Sequence, residues 1–217
     1  MWKKRESKGD ISLIQVVSDH VEKHIGKIGP VLHEKVSPTI HVDVIVVPAT
    51  LQRPYTTLVT TGMAELPMPM PRELEQSRFA ELMICPPADW PITPQSIFDE
   101  NFYWPIRLLK GIARYPHEEE TWLFEGHTIP GAKPEGFAPS TRLSSVMLTS
   151  PKTISEKAQS ISYGRDRSIR LWALVPLYDE ELSFKLASGY EDLRKILDTN
   201  GITELLNSTR NSVISLS

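Results

Sequence analysis

Three β-rich segments between Val36 and Pro91, joined by proline-rich connections, constrain this chain more than any other stretch. They read S-P-T-I-H-V-D-V-I-V-V-P-A-T, Y-T-T-L-V-T-T-G-M-A-E-L-P-M and F-A-E-L-M-I-C-P-P-A-D-W-P. Along Thr39 to Val47, Ile40, Val42, Val44 and Val46 share one strand face and His41, Asp43, Ile45 and Val47 the other, so one face is core and the second is partly covered. Tyr55 to Thr61 is β-branched and pairs antiparallel with it in this reading, through a Pro48 to Pro54 turn, before Gly62-Met63 ends the strand. Pro67, Met68, Pro69, Met70 and Pro71 make a rigid connection to a third strand, Arg78 to Cys85, which Pro86-Pro87 closes. Proline donates no ladder hydrogen bond, so most of the 18 prolines belong in loops, at strand ends or on sheet edges.

The flanking pattern is helical before this centre and mixed after it. Ile11, Ile14, Val17, Val21, Ile25 and Ile28 recur at spacings of three and four, which predicts an amphipathic helix lying on the sheet, capped by Ser12 with Gln15 and stopped by Gly29-Pro30. Phe102 to Tyr115 reads as a helix with Pro105 near its first turn and Ile106, Leu109, Ile112 and Ala113 facing the core. Thr121 to Ile129, Leu143 to Leu148 and Ser168 to Tyr178 read as strands, with a Gly/Pro loop from Pro130 to Pro139 and a polar, flexible excursion from Pro151 to Asp166. Asp179 to Leu186 and Tyr190 to Leu197 read as helices separated at Gly189, with Asn200-Gly201 as a stop and Gly201 to Leu206 as a last turn.

Composition narrows the function. A net charge of -3 gives no general attraction to nucleic acid, and no apolar run approaches the roughly 20 residues of a membrane helix. The polar residues after Lys3, Lys4 and Arg5 lack the apolar stretch of a signal peptide, so the expected location is cytoplasmic. The single cysteine, Cys85, falls in a strand where a thiol serves as a small apolar filler.

The most suggestive chemical group is His33, Glu34, His41 and Asp43. His41 and Asp43 alternate onto one strand face about 6.6 Å apart by strand rise, so a metal site is conceivable, and a metal-assisted hydrolase using His33, His41 and Asp43 is the alternative reading. A His and an Asp that bond each other and a neighbouring loop explain the same residues without a metal. His20 and His24, in H-V-E-K-H, match no metalloprotease motif and read as a solvated helix face. The H-E-E-E run at 117–120 reads as an exposed acidic helix end, and Trp90, Tyr103 and Trp104 as core aromatics or interface anchors. Neither a phosphate-binding glycine loop nor a G-x-S-x-G elbow occurs.

Together V-L-H-E-K-V-S-P at 31–38, I-H-V-D-V at 40–44, L-V-T-T-G-M at 58–63, E-L-P-M at 65–68, A-E-L-M-I-C-P-P-A-D-W-P at 80–91 and L-W-A-L-V-P-L-Y-D-E-E-L at 171–182 resemble the suppressor of fused family. The resemblance implies an α+β fold with a mixed, largely antiparallel central sheet flanked by helices; the length of 217 residues fits a single domain over 1–217, with flexible ends expected at 1–10 and 208–217. It also implies a non-enzymatic role in binding another protein. Animal members hold Gli-type transcription factors by clasping a peptide as an added strand between two lobes; this chain is similar to the amino-terminal lobe alone, so that binding does not carry over. Short stand-alone members resemble bacterial immunity proteins that neutralise a toxin. The expected partner is therefore a protein, a toxin or an extended peptide, with no nucleic acid, membrane, metal or cofactor. The candidate binding residues are His33, Glu34, His41, Asp43, Gly62, Met63, Glu65 and Trp90, and none is catalytic. A self-associating structural subunit is the third reading.

Overall fold

Strand-period burial on both sides of Asp43–Val47 builds the centre of one mixed sheet. The computed structural model describes residues 9–34, 37, 39–131, 135–164 and 167–214. The strands are β1 (Val31–Leu32), β2 (Asp43–Val47), β3 (Thr57–Thr61), β4 (Phe79–Ile84), β5 (Thr128–Pro130), β6 (Ser145–Thr149), β7 (Ser160–Tyr163) and β8 (Arg167–Leu177). Their order is β1-β2-β3-β4-β8-β6-β5, with β7 also paired to β8. Every pairing is antiparallel except β4 with β8. The three segments expected to be neighbours are neighbours; β2 and β3 pair in the expected antiparallel sense, and β3 and β4 pair antiparallel as well. The parallel contact requires a long crossover, and the chain supplies it with a helix and three strands between β4 and β8.

Alternation then assigns each strand face to a helix. Ile40, Val42, Val44 and Val46 join Leu58, Leu82, Ile84 and Trp104 in a core that includes Leu109 and Ile112 of α2 (Glu100–Glu118). Ile45 and Val47 join Val59, Met83 and Cys85 beneath Leu13, Val17 and Val21 of α1 (Ile11–His24). Both faces of β2 are covered. A third cluster seats Leu193 and Leu197 of α4 (Tyr190–Thr199) on Met147, Val175 and Leu177. α3 (Asp179–Ser188) precedes α4, separated from it at Gly189 as expected.

Local chemistry corrects several boundaries. The α1 cap is Asp10, whose carboxylate accepts from the amides of Ser12 and Leu13, while Gln15 donates to Asp19 instead of closing a capping box with Ser12. With the helix ending at His24, Ile25 and Ile28 lie beyond it, and the buried stripe runs through Leu13 rather than Ile11, which is 82% exposed. α2 starts at Glu100, capped by Asp99, so Pro105 lies a full turn inside it, while Ile106, Leu109, Ile112 and Ala113 are buried as expected.

The strand expected over Thr121 to Ile129 is reduced to β5. Trp122 and Phe124 pack into the aromatic groups around His127 and Trp172, and Gly126 turns the chain at φ +80. The excursion from Pro151 to Asp166 is ordered over its described residues: Ala158 and Ile161 are buried, and β7 completes a hairpin with β8. Gly201 to Leu206 forms no helical turn, because Leu205 bridges Cys85 in parallel at the end of β4. Within the loop from Pro130 to Pro139, residues 132–134 lie outside the described residues, as do residues 165–166 of the excursion. No helix among the described residues is long and apolar enough to cross a membrane.

Candidate functional site

The polar half of β2's outward face collects one buried carboxylate network at the edge of the sheet. Asp43 follows His41 and the apolar Val42 in strand alternation, so its side chain enters a face otherwise filled by Ile45 and Val47. It is 2% exposed, and an ionised carboxylate only accepts, so it must gather donors. Its Oδ2 accepts from His33 Nδ1 at 2.8 Å, and its Oδ1 accepts from the Glu34 amide at 2.8 Å and from His41 Nε2 at 3.0 Å. β1 delivers His33 and Glu34 because Val31 and Leu32 pair with Ile45 and Val44.

Glu34 forms the second layer of this network. Its Oε2 accepts from the Val42 amide at 3.1 Å and from the Ser37 hydroxyl, which also lies 3.1 Å from His41 Nδ1. Its Oε1 is held by the guanidinium of Arg114 from α2. One turn earlier on α2, Lys110 donates to the Leu32 carbonyl at 3.2 Å. Burial pushes the Lys110 ammonium below its ordinary value, and the charge of Asp43 opposes that shift. Burial likewise lowers Arg114, against the pull of Glu118. Four of the expected site residues, His33, Glu34, His41 and Asp43, are thus brought together. His33 is the one presented outward, with 72% of its side chain exposed.

The three side chains proposed for metal chemistry meet on the Asp43 carboxylate itself rather than around an open position. Among the described residues no group of three or more His, Cys, Asp or Glu side chains is arranged to hold a metal ion. The hydrolase reading finds no support in this geometry.

Gly62, Met63 and Glu65 belong to a neighbouring 3-10 turn. The turn is held from below by Glu81, whose Oε1 accepts from the amides of Gly62 and Ala64 at 2.9 and 3.1 Å and whose Oε2 accepts from the Thr60 hydroxyl at 2.6 Å. Complete burial pushes the Glu81 carboxyl up to about 7, against the lowering effect of those bonds. Met63 is buried in the core, with its carbonyl 3.0 Å from His117 Nε2; Glu65 is half-buried at the end of the turn. Trp90 stands apart at the start of α2. Its indole donates to the Phe102 carbonyl at 2.9 Å and meets Phe102 and Trp104 edge-on. Phe102 and Arg114 stand twelve positions apart on the helix, about 18 Å along the axis.

The remaining motifs fall into structural places. His20 is not merely solvated, since its Nε2 lies 3.0 Å from the Ala158 carbonyl and its ring 4.5 Å from that of His24. Glu118, Glu119 and Glu120 are exposed as expected, while His117 is half-buried. Sequence reasoning did not single out Glu81, Glu181 or Glu204, each completely buried. The available signal for Glu81 was a carboxylate in the same strand phase as Phe79, Met83 and Cys85.

The sheet order and the helices on its two faces define an α+β domain with a mixed central sheet. The chain matches the family model described as Suppressor of fused protein (SUFU) over residues 38–211, and it belongs to that family. Its fold is similar to a SUFU homolog from Neisseria gonorrhoeae, 16% identical with a TM-score of 0.72, over 96% of this chain and 100% of that one. It is similar to a chain of the Sufu-Fu complex, 16% identical with a TM-score of 0.63, over 93% and 92% of the two chains. Drosophila Suppressor of Fused is 15% identical with a TM-score of 0.64; 98% of this chain covers 54% of that one. At these identities the likeness is one of fold. No curated protein matches the chain in sequence.

Proposed function

We propose that this chain is a non-enzymatic protein-binding domain whose partner contacts the β1–β2–α2 corner. The observation that carries the reading is His33: an exposed imidazole held in one orientation by a buried aspartate, beside a two-residue strand at the end of the sheet order. A strand at the end of a sheet offers unpaired backbone groups to an extended segment, and a fixed polar side chain beside it gives specificity. Glu34, His41 and Asp43 position that surface, Gly62, Met63 and Glu65 shape the turn next to it, and Trp90 anchors the far end of α2. Support for a protein partner comes from family membership and from the solved Sufu-Fu complex. In this reading the chain is a bacterial, cytoplasmic immunity protein whose partner is a toxin that it neutralises.

The test is co-expression with the products of the genes that flank this one, read by size-exclusion chromatography and by growth. A stable complex that restores growth, weakened tenfold or more by His33→Ala with the melting temperature unchanged, supports the proposal. The absence of any complex, together with turnover in a broad substrate screen, contradicts it.

A further inference from the structure

A cavity of about 150 Å³ opens between β6, β8 and α4, well away in the sheet order from the β1 corner. A volume of roughly that size admits a molecule as large as benzene. Its walls include the apolar side chains of Met147, Val175, Leu197 and Ile202. Its charged lining is three carboxylates, Glu125, Asp198 and Glu204, against two cations, Lys152 and Arg194.

Hydrogen bonding accounts for all but one of the carboxylate oxygens. Glu125 accepts from the Tyr190 hydroxyl at 3.0 Å and from the amide and hydroxyl of Ser150. Burial and the adjacent Glu125 push the Tyr190 hydroxyl up, which keeps it a donor. Asp198 is shared by Lys152 and Arg194, so both cations are engaged. Glu204 is completely buried, and its Oε1 accepts from the Lys152 and Thr153 amides, each at 2.7 Å, and from the Thr153 hydroxyl at 2.8 Å. Its Oε2 is buried with no partner among the described residues. The main chain fixes it there, because the Glu204 carbonyl accepts from the Cys85 amide at 2.9 Å and the Leu206 amide donates to the Cys85 carbonyl at 2.8 Å.

We infer that this cavity binds a protonated primary amine on a short apolar stem, with the ammonium group on Glu204 Oε2 and the stem against Met147, Val175, Leu197 and Ile202. A buried carboxylate oxygen without a donor is costly, and a cationic N–H is the strongest donor that can satisfy it. One free oxygen suits the point charge of an ammonium. A guanidinium calls for a two-oxygen fork, and a calcium ion for six or more oxygens. The amine is either a free small molecule or a lysine side chain carried by a protein. The site stands independently of the partner surface proposed above.

Isothermal titration calorimetry of the full chain with n-butylammonium, n-butanol and Nα-acetyl-lysine N-methylamide tests this. Saturable binding of n-butylammonium is expected, at least tenfold tighter than n-butanol and weakened tenfold or more by Glu204→Gln. That substitution keeps an oxygen for the 152–153 donors while turning the unpartnered acceptor into a donor. Added binding of the lysine amide identifies a protein-borne lysine as ligand, and its absence identifies free amines; both support the site. If Glu204→Gln does not melt cooperatively, Ile202→Trp, which fills the cavity and leaves Glu204 in place, must abolish binding. No saturable binding, equal binding of n-butanol, or unchanged affinity in a folded variant overturns the inference.

Discussion

Gly62 lies against the carbonyl oxygen of His41 so closely that a Cβ at position 62 would stand 1.8 Å from it. The same glycine has φ +118, a conformation L side chains rarely adopt. Backbone contact thereby couples the turn after β3 to the segment that runs from His41 into β2 at Asp43. Gly62→Ala is expected to cost at least about 3 kcal/mol, from conformational strain and displacement of the His41 backbone together. Urea denaturation measures it; a loss under about 1 kcal/mol would show that the turn relaxes freely.

Glu81 beneath that turn makes stability depend on pH. Its folded value is raised from 4.5 to about 7, so the folded chain holds more protons than the unfolded chain between those limits. Stability from this group is therefore present below pH 4.5 and is lost as pH rises to 7, by about 3 kcal/mol in all. Glu81→Gln, which cannot ionise, should remove that part of the slope. Denaturant titrations of both proteins from pH 5 to 8 check it, and an unchanged slope in the variant would refute the assignment.

Arg210 and Glu181 form a two-pronged pair with both contacts at 2.6 Å, and Glu181 is completely buried. Arg210→Ala leaves that carboxylate without its cation and is expected to cost about 3–5 kcal/mol. Arg210→Lys restores charge but not the fork, so it should recover only part. Chemical denaturation of the three proteins reads the order.

Cys85 is buried, and burial pushes its thiol up to about 12. The thiolate is the reactive form, so iodoacetamide at pH 8 should leave the native chain unmodified and label it fully in denaturant. Mass spectrometry distinguishes the two, and rapid native labelling would mean that the β4 end opens.

Strand periodicity made the sheet's centre legible, because Ile40 through Val47 commit alternate residues to opposite faces and a register slip would reverse both. The same reasoning failed at Thr121 to Ile129, where apolar content reflects aromatic packing rather than ladder bonds, and at Ser160 to Tyr163, where only Ile161 is buried and the strand looked like a polar loop. The His33, Glu34, His41 and Asp43 group was visible as residue types at strand spacing. Its chemistry was not, since the decisive partners, Arg114 and Lys110, come from a helix, 80 and 78 residues beyond the Glu34 and Leu32 that they bind. Distance along the chain hid the pairing, not any ambiguity in the residues.

The central claim is that the β1–β2–α2 corner receives another protein. Amide hydrogen exchange of the free chain and of its complex with a flanking-gene product tests it most directly. The account predicts new protection concentrated at residues 31–34 and 41–47, lost together with affinity in His33→Ala. Protection confined to residues elsewhere in the chain, with 31–34 exchanging as in the free protein, would contradict it.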